Sequence, residues 1–175
     1  MKKLLDYLRL GEVKDMEGLD SAVVSLLQAN IIRKKPFLKR LYVDFYKQLK
    51  SDPTQLRVLG NGRQRKSYLY VQDCIDAILC ALQRASGQVN IFNLGTDEYC
   101  EVNDSINWVT QELGLAPALT YAGGPRGWVG DSPFVFLDCQ RMRSLGWQPQ
   151  ISIRDGVIRT LRYLQSNPWL LDIRR

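Results

Sequence analysis

An α/β or mixed α+β fold is what this sequence predicts, and three observations carry it. Short apolar, β-branched runs alternate along the chain with longer stretches in which apolar residues recur every three to four positions. Glycine, proline and asparagine punctuate the joints between them. The composition, 45% hydrophobic and 24% charged, is that of a folded globular domain, and 175 residues suffice for one domain with its own core.

The elements follow in order. Ala22-Val23-Val24-Ser25-Leu26-Leu27 reads as a buried strand that ends in Gln28-Ala29-Asn30. After Pro36, the spacing of Phe37, Leu41, Phe45 and Leu49 predicts a helix that stops near Ser51-Asp52-Pro53. Leu56 to Leu59 alternates into the turn Gly60-Asn61-Gly62, and Tyr68 to Val71 predicts a second short strand. A helix opens at Asp73, with Cys74, Ile75, Ile78, Leu79 and Leu82 on one face and Gly87 beyond its end. Val89 to Gly95, VNIFNLG, carries the strongest strand pattern of the chain.

Val102, Ile106, Val109 and Leu113 then share one helical face, and Gly114 supplies a left-handed stop. Leu119-Thr120-Tyr121 and Phe134 to Leu137 read as strands on either side of the nonapeptide GGPRGWVGD, Gly123 to Asp131. A short helix runs from Asp138 to Gly146. Ser152-x-x-Asp155 starts a last amphipathic helix through Val157, Ile158, Leu161 and Leu164. No internal repeat or low-complexity tract interrupts this order.

Composition also narrows the function. No stretch approaches the roughly 20 apolar residues of a membrane span, and Asp6 interrupts Met1 to Leu5 before a signal-peptide core develops, so a cytoplasmic chain without a membrane partner is expected. The four cysteines form no C-x-x-C pair and there is no histidine, which argues against a zinc site and an imidazole base. Cys74 and Cys80 are expected to pack as small hydrophobes in a helix. The net charge of +6 suits an anionic ligand. Its dense spots are Arg33-Lys34-Lys35 with Lys39-Arg40, read as a solvated helix start, and Arg63 with Arg65-Lys66. No aromatic-plus-basic RNA motif accompanies them, so no nucleic-acid partner is expected.

From Gly124 the nonapeptide matches G-x-x-G-x-x-G, the spacing of a dinucleotide-binding loop. Such a loop works by delivering the pyrophosphate to a helix N-terminus. Here Gly130 is followed by Asp131-Ser132-Pro133 and an apolar run, with no helix start, so the spacing is read as a glycine-rich turn and no cofactor-binding residue is assigned. Tyr46-x-x-x-Lys50 likewise matches the spacing of a catalytic tyrosine and its lysine, but reads as the flank of an amphipathic helix.

Taken together, Ala29-Asn30-Ile31-Ile32, Val43-Asp44-Phe45, LRVLGNGRQRKSYLYVQDC from Leu56, VNIFNLGT, GPRGWVGD and LDCQRMRSLGWQP resemble the C-terminal half of NAD-dependent epimerase/dehydratases of the extended short-chain dehydrogenase family. UDP-glucose 4-epimerases are the nearest subgroup. The resemblance runs from about Leu19 to Leu164. It implies residues 1–18 as a divergent N-terminal segment and residues 19–175 as the substrate-binding portion, an incomplete Rossmann-type sheet plus a small mixed α+β substrate-binding domain.

It further implies that Asn30 meets the sugar-nucleotide phosphate, that Lys66 with Arg65 beside it grips the diphosphate as a pair, and that Arg126 closes on the same group. Asp131 would hold the loop by pairing with a base. Surface-only roles for Arg65, Lys66 and Arg126 stand as the alternative. The complete family uses bound NAD to oxidise the sugar to a keto intermediate and then returns the hydride. With the glycine loop and the Tyr/Lys pair absent, this chain alone is expected to bind no NAD and to have no catalytic residue. Two functions follow as expectations: a truncated nucleotide-sugar epimerase or dehydratase, or a non-catalytic subunit that binds a UDP-sugar and complements a separate N-terminal half or self-associates.

Overall fold

The computed structural model describes residues 41–128, 130–131 and 134–171. The strand expected at Ala22 to Leu27, the site residue Asn30 and the basic run Arg33 to Arg40 lie outside the described residues.

Helix α1 (Leu41–Ser51) buries Phe45 and Leu49, one turn apart. It ends at Asp52, whose carboxylate accepts hydrogen bonds from the Thr54 hydroxyl and backbone N–H at 2.6 and 2.9 Å. The hydroxyl bond, followed by the backbone one, holds the Asp52 carboxyl below its usual range. Strand β1 (Gln55–Val58) follows, with Leu56 and Val58 buried and Gln55 and Arg57 outward. Gln48 of α1 accepts from the Arg57 N–H at 3.1 Å and donates to the Arg57 carbonyl at 3.4 Å, so a side-chain amide caps that edge of the strand.

The ladders are short. β1 pairs in parallel with β4 (Ala118–Tyr121), in the register Gln55 to Ala118 through Val58 to Tyr121. β2 (Arg65–Lys66) pairs antiparallel with β3 (Cys100–Glu101). Between them run α2 (Val71–Arg84) and α3 (Val102–Leu113), and after β4 come α4 (Gln140–Ser144), α5 (Ile153–Ser166) and a 3-10 turn, Pro168–Leu171. The class is α/β with a small parallel sheet, as expected.

Local chemistry sets the helix ends. Asp104 accepts from the Glu101 N–H at 2.8 Å where α3 starts, and Gly114 closes α3 at φ 65°. Ser152 caps α5 by accepting from the Asp155 N–H at 3.1 Å. The fully buried Asp73, in the first turn of α2, accepts from the Gln150 and Ile151 N–H groups at 3.1 and 3.0 Å, and so ties α2 to the segment leading into α5.

Two apolar clusters result. The larger joins Phe45 and Leu49 of α1, Leu56 and Val58 of β1, Val102, Ile106 and Val109 of α3, and Ile153, Val157 and Leu161 of α5. Burying each such side chain stabilises the fold by about 1.5–3 kcal/mol relative to leaving it exposed. The smaller has Ala77, Met142 and Trp147 at its centre, with Leu69, Phe92, Leu94 and Leu145 partly buried against it.

Three expected strands do not form among the described residues. Tyr68 to Tyr70 runs extended into α2, and Val71 is already helical. Its apolar run serves packing instead: Tyr68 faces the larger cluster and its neighbour Leu69 the smaller one. Val89 to Gly95 alternates, with Phe92 and Leu94 packed and Val89 and Ile91 82% and 72% exposed, yet no strand pairs with it among the described residues. Phe134 to Leu137 is exposed and unpaired among the described residues. A strand is defined by a partner's hydrogen bonds, which a one-chain pattern does not provide. The helix expected from Asp73 begins two residues earlier and ends at Arg84, short of Gly87, and Leu82 is exposed rather than on the packed face.

Candidate functional site

β1 and β4 are parallel neighbours, so the turns that follow them, Gly60 to Gly62 and Ala122 to Gly124, leave the same end of the sheet. Open α/β sheets place ligands at the carboxyl ends of such strands. The two turns are bonded to each other: Ala122 N–H donates to the Val58 carbonyl at 2.9 Å and Gly123 N–H to the Gly60 carbonyl at 3.0 Å. Gly60 has φ 76°, and a Cβ on it would lie 2.9 Å from the Arg126 carbonyl oxygen and still closer to the Gln64 side-chain amide. Only glycine fits there.

Asp131 anchors the far end of the loop. Its Oδ1 lies 2.5 Å from Lys66 Nζ, and its Oδ2 accepts from the Gly127 N–H at 3.0 Å. The pair is nearly withdrawn from water, with the side chains 13% and 6% exposed for Lys66 and Asp131. Asp131 therefore pairs with a base, as its place in the loop suggests. Within the loop the Trp128 ring covers Gly130, where a Cβ would meet it at 2.3 Å.

Arg126 stands on this anchored loop, exposed and in no ion pair among the described residues. The side chains of Arg65 and Lys66 have different neighbours. Consecutive strand residues point to opposite faces, so Lys66 turns to Asp131 while the exposed Arg65 lies over the Tyr99 ring, 5.2 Å from its centroid. Tyr99 in turn meets the edge of Phe134 with ring centroids 5.5 Å apart. Sequence reading missed Tyr99 as the partner of Arg65; its only local signal is an aromatic residue between Glu98 and Cys100 in a polar stretch.

The dinucleotide-loop role fails on geometry. Among the described residues no helix starts after Gly130 until α4 at Gln140, so the loop offers a pyrophosphate no helix N-terminus. These residues do not fit that part of an NAD site. Tyr46 and Lys50 lie on α1, Tyr46 packed against the larger cluster and Lys50 exposed.

A separate open concavity of about 430 Å³ lies between Tyr99, Trp108 of α3 and Ser152 to Arg154 at the start of α5. Glu98 lines it and accepts from the Ile153 N–H at 2.9 Å, so this carboxylate already occupies the helix start. The cysteines are all free thiols, and Cys74 and Cys80 lie on α2. Burial pushes the Cys100 thiol up to about 11. It raises Cys139 too, against the lowering pull of Arg143. Neither is poised as a thiolate. No group of three or more His, Cys, Asp or Glu among the described residues could hold a metal, and no helix among them is long and apolar enough to cross a membrane.

Comparison with known proteins gives matches over part of the chain. Residues 20–95 match the NAD dependent epimerase/dehydratase family. A Methanocaldococcus jannaschii protein named "Putative UDP-glucose 4-epimerase" is 30% identical over 110 residues, 63% of this chain and 34% of that one. The Arabidopsis thaliana trifunctional UDP-glucose 4,6-dehydratase/UDP-4-keto-6-deoxy-D-glucose 3,5-epimerase/UDP-4-keto-L-rhamnose-reductase is 31% identical over 67% of this chain and 18% of its own length. Among solved structures, a UDP-galactose 4-epimerase superposes with a TM-score of 0.63 at 29% identity, covering 75% of this chain and 42% of that chain. The match thus spans about a third or less of these curated relatives.

Proposed function

We propose, from the kinship of residues 20–95 with the NAD dependent epimerase/dehydratase family, that this chain is the nucleotide-sugar-binding portion of such an enzyme. The catalytic base and the NAD loop would lie in polypeptide outside these 175 residues. The ligand is a UDP-sugar. Its diphosphate lies at the strand ends of β1 and β4, with Arg126 as the principal donor, Arg65 and Asn30 as further donors, and Lys66 beside the loop in its pair with Asp131. The observation that carries this reading is Arg126, an exposed guanidinium without an ion pair among the described residues, on a loop anchored at the end of a parallel strand pair. Residues 19–175 form the substrate-binding unit in this reading.

A second reading, a non-catalytic subunit docked on a complementary N-terminal half or on its own copy, is favoured by the exposed apolar residues Val89, Ile91 and Phe134 to Leu137.

Calorimetric titration with UDP-glucose and UDP-galactose, with NAD run in parallel, tests the first reading. A charge-assisted hydrogen bond contributes about 1.5–3 kcal/mol, so Arg126→Ala should weaken UDP-sugar binding by roughly tenfold or more, and NAD should give no saturable heat. An unchanged dissociation constant for Arg126→Ala removes the loop from the site. Saturable NAD binding at micromolar concentration would overturn the division of labour.

A further inference from the structure

We infer that Lys66 serves the diphosphate indirectly: with Asp131 it forms a buried latch that sets the shape of the Gly123 to Asp131 loop, so that both are positioning residues for Arg126 and neither touches the phosphates. The inference rests on the proposed site at this loop.

Three observations carry it. The Lys66 ammonium and the Asp131 carboxylate are nearly withdrawn from solvent and meet at 2.5 Å. At that depth each charge is costly to leave without the other, so a ligand that drew Lys66 away would strand Asp131. The second Asp131 oxygen accepts from the Gly127 N–H, immediately after Arg126 in the chain. One carboxylate therefore joins the β2 lysine to the backbone beside the exposed arginine. Finally, Gly60 lets the Arg126 carbonyl approach the first turn closely, and the Gly123 N–H to Gly60 carbonyl bond holds the loop's other end. With both ends of the loop tied, the backbone that carries Arg126 needs little further ordering when an anion arrives.

The sign of one substitution separates the two roles of Lys66. Asp131→Asn keeps a side-chain oxygen for the Gly127 N–H and removes the negative charge. If Lys66 touched phosphate, this change would free it and tighten UDP-glucose binding. If Lys66 is the latch, Asp131→Asn should weaken binding by about tenfold, as Arg126→Ala does, and the double variant should be little worse than either single one.

The experiment is a double-mutant cycle by calorimetry on the full chain with UDP-glucose, with hydrogen exchange on the unliganded proteins. The latch predicts that Asp131→Asn, and independently Lys66→Gln, lowers protection of the Gly127 amide while the α3 amides keep theirs. Tighter or unchanged binding by Asp131→Asn, or full Gly127 protection in Lys66→Gln, overturns the latch. If Arg126→Ala has no effect on binding, it is the proposed site that fails, and the exchange result still decides whether the latch exists.

Discussion

Around β1, the helices α1, α3 and α5 close on one another and leave Leu56, Val58, Ile106 and Leu161 without contact with water. Along the smaller cluster the chain is built differently. Val89 to Gly95 lays Phe92 and Leu94 on it but leaves Ile91 in solvent, and Phe134 to Leu137 is exposed throughout. A helix satisfies its backbone within itself and needs only one apolar face covered. An extended segment leaves its backbone groups to a neighbour. The closed region is the one made mostly of self-sufficient elements, and the open region is where strand-patterned segments have no ladder among the described residues.

The largest test of this contrast is cavity creation. Leu161→Ala in the closed region should cost roughly 2–5 kcal/mol in urea unfolding, and Met142→Ala in the smaller cluster should fall at or below the lower end of that range, because its half-exposed neighbours have room to collapse. Equal losses would show that both clusters are packed alike.

A smaller effect is expected from pH. The Cys100 thiol is held up to about 11 from an ordinary value of 9.0, chiefly by burial, so the folded chain keeps a proton that the unfolded chain releases. With more protons bound in the folded state, stability falls as pH rises through the window from about 9 to 11 and is fully retained below it. Urea titrations across that window should show the decline, and Cys100→Ala should flatten it. A variant that declines as steeply as the parent would assign the effect elsewhere. Cys139→Ala in the open region should flatten it less, since Arg143 opposes the effect of burial there.

The smallest change in stability is expected at the exposed residues themselves. Ile91→Lys and Val135→Lys should shift the unfolding free energy by no more than about 0.5 kcal/mol. They should nevertheless reduce concentration-dependent association in light scattering, because each places a charge in an exposed apolar segment. A parent chain that is a monodisperse monomer at all concentrations would show that these segments are not adhesive, and the open region would lose its meaning as an interface.

The legibility of the fold follows the same division. α3 was readable to its last residue, since Val102, Ile106 and Val109 repeat along one face and Gly114 adopts the left-handed conformation its position requires. α5 was readable from Ser152. β1 and β4 were each visible, but their pairing was not, because it joins residues more than 60 positions apart in the chain. β2 and β3 carry no apolar signature in Arg65-Lys66 and Cys100-Glu101, and their existence depends wholly on meeting each other. At the candidate site, Arg126 and Asp131 are pointed to by the family resemblance, and the glycine spacing reads as a turn from its context. The separation of Arg65 from Lys66 is not legible in the sequence.

What the sequence by itself determined, then, is whatever a single stretch of chain can satisfy: helical faces, caps, the glycine turns, and the charge types gathered near one loop. Tertiary structure alone decided which extended runs became strands and which charges were spent on each other. Lys66 and Asp131 are 65 positions apart, and a carboxylate only 6% exposed depends on partners brought to it by the fold, here the Lys66 ammonium. Hydrogen-bond ladders and buried ion pairs are properties of two segments at once. No pattern within either segment carries the information that the other will be there.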